Sequence, residues 1–120
     1  MRLQPWARAA FWLGTVAVLV LSLLPAEHLP ARGPFNLWDK AQHALAFAML
    51  TVLGLIAWPQ PALRWQLLLS LVALGGAIEV AQHLSGWRHG EWADAAADAV
   101  GVALVGLVRL LARAGRLWRN

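Results

Sequence analysis

Apolar residues run along this chain in four long blocks, separated by short polar breaks. Eighteen residues without a charge lie between Arg8 and Glu27, and twenty lie between His43 and Arg64. Both reach the roughly 18 residues that mark a membrane-spanning helix. Residues 65–84 are apolar except for Glu79 and a few neutral polar positions, and the only charges in residues 93–111 are Asp94, Asp98 and Arg109. The pattern predicts four helices over about 6–24, 39–58, 63–84 and 93–113, each long enough at about 1.5 Å per residue to cross the hydrocarbon core. Pro25 closes the first, Pro59 and Pro61 separate the second from the third, and Gly86 and Gly90 mark a tight link before the fourth. The expected fold class is an all-α membrane protein with four transmembrane helices in an antiparallel bundle, in one domain over 1–120.

Composition strengthens the membrane reading. The chain is 60% hydrophobic and 13% charged, whereas a soluble domain carries roughly 25% charged residues. The absence of cysteine excludes disulfides, thiolate chemistry and cysteine-ligated metals. Arg2 and Arg8 before the first block would also suit a signal peptide, but no clean small-x-small cleavage site follows, so the segment is expected to stay as a helix. A net charge of +4 raises nucleic acid as a partner, yet no soluble basic face exists to bind it. The basic residues flank spans instead. Arg2, Arg8, Arg64, Arg109, Arg113, Arg116 and Arg119 fall on one side, against Arg32, Lys40 and Arg88 on the other. The positive-inside rule then places both termini and the loop between the second and third spans in the cytoplasm. Most of the eight tryptophans fall near predicted helix ends, as in an interfacial belt, and Trp12 alone is well inside a span.

Polar residues mark one face at one end of three spans. Asp39, His43 and Phe47 recur at i, i+4 and i+8 in the second, with Leu50 and Gly54 extending the stripe. Asn36 or Asp39 would cap this helix. In the third, Gly75, Glu79 and Gln82 share a face, the glycine allowing a neighbour to approach beside the carboxylate. Arg88 sits in the link. Asp94 and Asp98 lie one turn apart in the fourth, beside a small-residue line of Ala93, Ala97 and Gly101. Ionisable groups inside a span face the bundle interior and a partner. The simplest pairing has Arg88 bridging Asp94 or Glu79, Lys40 near Asp98 or Asp94, and His43 donating to a carboxylate. Glu27, His28 and Arg32, in the loop after the first span, are expected to be solvated.

Three motifs in order resemble the VanZ-like family, named for a protein associated with reduced susceptibility to the glycopeptide teicoplanin. They are Asp39-Lys40-x-x-His43-x-x-x-Phe47, Glu79-x-x-Gln82, and Arg88 followed by Asp94 and Asp98-x-x-Gly101. The resemblance covers about residues 24–106. At the position of Asp98 the family more often carries asparagine, so this chain has an added acid. The resemblance implies a small multi-helix inner-membrane protein connected with the cell envelope and antibiotic response, and it does not imply a reaction.

Asp39, Lys40, His43, Glu79, Gln82, Arg88, Asp94 and Asp98 are therefore the candidate site residues. They admit several readings. The cluster is a structural network that fixes helix packing, or it binds an envelope lipid or cell-wall-related ligand, with Lys40 and Arg88 holding an anion. It is alternatively an acid/base enzyme acting on a lipid-linked substrate through His43 or Glu79. Ser85 is the only nucleophilic side chain near the motifs. No cofactor is expected, and none of the motifs requires a metal. Asp39 with His43, and Glu79 with His83, nevertheless have the i, i+4 spacing of zinc or manganese ligands. Membrane lipids are the expected partners.

Overall fold

A computed structural model describes residues 2–25, 27 and 37–119, with Leu37 and Trp38 described by their backbone alone. Four helices make up the described chain: α1 (Gln4–Leu23), α2 (Leu37–Ala57), α3 (Pro61–Ser85) and α4 (Trp92–Leu117). Each is long and apolar enough to cross a membrane. Their ends follow local chemistry. Pro5 and Pro61 occupy the first turns of α1 and α3, where a missing N–H costs nothing. Gly86 closes α3 in the left-handed conformation, with φ of 79°. The α4 helix continues beyond the expected 113 to Leu117, because its alanines, leucines and arginines are all good helix formers. The α2 helix begins at Leu37, so Asp39 lies in the first turn and acts on the positive end of the helix dipole rather than as the expected cap. Asn36, His28 and Arg32 lie outside the described residues.

The most extensive packing is between α2 and α4. The α1 helix flanks α2, α3 flanks α4, and α1 and α2 each touch α3 over smaller areas. Gly101 makes the central seam possible: a Cβ there would run into the backbone carbonyl of Ala44. The apolar core draws on all four helices, through Phe11, Phe47, Leu50, Leu71, Ile78 and Val102. Many other large apolar residues, such as Leu13, Val16, Leu69 and Val108, lie on the outside. An exterior this apolar suits lipid rather than water. The small-residue line on α4 is only partly at the interface. Gly101 is buried, but Ala93 is exposed, because the buried stripe runs through Asp94, Asp98, Val102 and Gly106.

Contacts between helix ends divide the bundle into two poles. Ser22 near the end of α1 meets Gln82 near the end of α3, and Lys40 at the start of α2 meets Asp94 at the start of α4. This is the acidic pole. At the other, Arg8 near the start of α1 donates through Nε to the carbonyl of Ala57 at the end of α2, at 3.2 Å. Its guanidinium also lies 5.8 Å from the centre of the Trp58 ring, and Trp58 packs edge-on against Phe11 and Trp12.

Candidate functional site

The acidic pole is built around the α2–α4 seam. Lys40 Nζ donates to Glu91 Oε2 at 3.0 Å and to Asp94 Oδ1 at 3.1 Å. One turn deeper, His43 Nδ1 hydrogen-bonds Asp98 Oδ1 at 3.0 Å. Helical spacing sets these two rungs in register: Lys40 and His43, at i and i+3, share a face of α2 opposite Asp94 and Asp98, at i and i+4, on α4. His43 Nε2 faces Asp94 Oδ2 at 3.9 Å, beyond hydrogen-bonding distance. Asp98 is 1% exposed, and it is the one hydrogen-bond partner of the His43 side chain among the described residues.

Glu79 joins this network through the link before α4. Its Oε2 accepts the backbone N–H of Glu91 at 2.6 Å, and a Cβ at Gly90 would press on its own backbone carbonyl. Glycine at position 90 thus lets the link close over the end of α3. Gly75 does for Asp98 what the sequence suggested it would do for Glu79. A Cβ at Gly75 would lie 3.0 Å from Asp98 Oδ2, so the acid of α4 packs directly on the α3 backbone. Glu79 also lines a pocket of about 160 Å³ with Val80, His83, Leu84, Gly90 and Trp92.

Gln82 and Arg88 take a different direction from the one expected. Gln82 Nε2 donates to the carbonyl of Ser22 at 2.8 Å, and Arg88 Nη1 donates to those of Leu24 and Leu21 at 3.0 and 3.3 Å. Trp87 Nε1 adds a bond to Leu23 O at 2.9 Å. Together they satisfy carbonyls at the end of α1, where no further turn of helix can do so. Arg88 therefore does not bridge Asp94 or Glu79. The short turn at Gly86 carries its guanidinium towards α1 and away from the α2–α4 seam. Ser85 is likewise committed to the backbone: its hydroxyl donates to Gln82 O and accepts from the N–H groups of Trp87 and Arg88. It shapes the turn and is not a poised nucleophile.

Among the described residues, three side-chain oxygens in this region are buried without a hydrogen-bond partner: Glu79 Oε1, Gln82 Oε1 and Asp98 Oδ2. Glu79, Gln82 and Asp98 are each at most 2% exposed, and a buried acceptor with no donor costs about 1–3 kcal/mol. The pole therefore offers acceptors in excess of donors. Glu91, which the sequence pattern did not single out, joins the cluster through its ion pair with Lys40. Its signal was position, immediately before the first turn of α4, where an acid faces the start of any parallel neighbour.

A metal reading is partly supported. Asp39, His43 and Asp94 each offer a ligand atom, all within 4.8 Å of one another. The Asp98 contact at Nδ1 would orient the ring and leave Nε2 for a metal. However, Lys40 already places its positive charge on Asp94. The other pair, Glu79 and His83, lines one pocket, but no third ligand-bearing side chain joins it among the described residues.

Comparison with known proteins adds no assignment: no protein-family model, curated protein or solved structure matches the chain.

Proposed function

We propose that this chain is a VanZ-like multi-pass protein of the bacterial inner membrane, folded as an antiparallel bundle with both termini cytoplasmic. Its acidic pole then lies at the outer leaflet and binds the headgroup of an envelope lipid or cell-wall-related ligand, in a role linked to glycopeptide susceptibility. The three family-like motifs support this reading by contributing to one pole of the bundle, and the arginine count supports the orientation. The observation that carries the ligand reading is the set of unpartnered acceptors at Glu79, Gln82 and Asp98. Lys40 is held between two carboxylates and Arg88 by carbonyls, so the pole is poorly suited to gripping an anion. It suits a group that brings donors, such as an amine or sugar hydroxyls.

Lipid and metabolite mass spectrometry of the gently purified protein tests this. An amine- or hydroxyl-rich envelope headgroup should co-purify, and Glu79→Gln should reduce its retention about tenfold, the loss expected for one charge-assisted hydrogen bond. Equal retention by both proteins, or no co-purifying headgroup, leaves the cluster as a packing network.

One observation favours an acid/base enzyme acting on a lipid-linked substrate. Asp98 holds His43 Nδ1 while Nε2 lacks a close partner, the arrangement by which a buried carboxylate orients a general base. Incubation with lipid-linked precursors should then give a product that is lost in His43→Ala.

A further inference from the structure

The opposite pole holds a second cluster, independent of the proposed acidic site. All six acidic residues of the chain, Glu27, Asp39, Glu79, Glu91, Asp94 and Asp98, sit at or beyond the acidic pole. Asp98, the closest along α4, is eleven residues before Arg109, about 16 Å by helical rise. Arg64 at the start of α3 lies within the electrostatic influence of Arg109 and Arg113 on α4. None of the six Asp and Glu side chains lies on this pole to answer them.

Unpaired guanidinium groups are costly at a membrane unless an anion meets them. Two of their donors, Arg64 Nη2 and Arg109 Nε, are buried and have no hydrogen-bond partner. Arg109 also lines a cavity of about 470 Å³, together with Arg2, Leu3 and Gln4, against an apolar wall of Leu55 and Ile56. Leu3 and Gln4 are the N-cap and first residue of α1. That helix start has no side-chain cap and no acid in its first turn, so its outermost N–H groups also face an anion-deficient space. Arginine donors, a polar floor and an apolar wall together match a phosphate group attached to something less polar.

We propose that this pole carries a dedicated phosphate-binding site, in which Arg2 and Arg109 hold a phosphate in the cavity at the start of α1. The phosphate belongs either to an anionic phospholipid headgroup or to a soluble phosphate compound, and the chemistry of capture is the same. The apolar wall gives acyl or glycerol carbons a place to rest.

The full chain in non-ionic detergent should retain phosphatidylglycerol in native mass spectra. Arg2→Gln and Arg109→Gln should each lower its apparent affinity about tenfold, the loss of one charge-assisted contact. Arg116→Gln, on an exposed residue outside the cavity, should leave it unchanged. A saturable thermal shift with pyrophosphate, abolished by Arg109→Gln, would support the same site with a soluble occupant. Because Arg2 is exposed, its variant tests the site even if Arg109→Gln fails to fold. Equal phosphatidylglycerol retention by the wild type, Arg2→Gln and Arg109→Gln, with no pyrophosphate response, would overturn the proposal. An equal loss in Arg116→Gln would also overturn it, since that reports general charge rather than a site.

Discussion

At the acidic pole Lys40 lies between Glu91 and Asp94, and His43 leans on Asp98. At the arginine pole Arg64 and Arg109 keep buried N–H groups with no partner. One end of the bundle pairs opposite charges across the α2–α4 seam; at the other, Arg8 leans on a backbone carbonyl and the Trp58 ring, while Arg64 and Arg109 are left to whatever surrounds the protein. The difference follows from how the charges are distributed. Mixed signs on facing helices can be offset inside the chain, whereas a pole with a single sign needs an external counter-charge. Changes at the acidic pole should therefore register as stability. Changes at the arginine pole should register as binding and as dependence on lipid or salt.

The largest expected effect breaks the seam itself. Gly101→Leu places a side chain against the Ala44 carbonyl and should destabilise the bundle by about 3 kcal/mol, the upper part of the usual overpacking range. Thermal unfolding in detergent measures it. The same change at Gly115, where a Cβ would meet nothing within 4 Å, should leave the midpoint unmoved. Equal losses at the two positions would show that α2–α4 contact is not what holds the poles apart.

A smaller loss is expected for Lys40→Ala, which leaves Glu91 and Asp94 facing each other without their shared cation. The melting midpoint should fall by about 5 °C, and removing Asp94 as well should restore part of it, as a double-mutant cycle would reveal. Full additivity would mean that the ion pair contributes nothing. The smallest effect is expected at the arginine pole. Arg113→Gln should not lower stability in salt-containing detergent, because it removes a like charge near Arg64. A marked loss there would end the contrast between the poles.

Much of this architecture was legible from local pattern. The apolar blocks, the prolines at 25, 59 and 61, and the glycine at 86 located four helices to within a few residues, because bilayer length and backbone chemistry act locally. The i, i+4 spacing of Asp39 with His43 and of Asp94 with Asp98 marked a polar face on α2 and another on α4. Which residue met which was not legible. The expected Arg88 bridge to an acid was plausible from charge alone, but the αL turn at Gly86 turns that arginine towards α1 instead.

The sequence by itself determined that the chain forms membrane-length helices and that all six acids fall towards one end while seven of the ten basic residues fall towards the other. Both follow from periodicity and counting along one dimension. Only the tertiary structure decided that Lys40 pairs with Glu91 and Asp94, that His43 pairs with Asp98, and that Gln82 and Arg88 cap α1. It also decided which oxygens and guanidinium groups remain buried without partners. Those outcomes depend on which helices pack closest and at what register, a choice made where Gly101 meets the Ala44 carbonyl and Gly75 meets Asp98. Close approach between residues far apart in the chain leaves no mark in the spacing of either one.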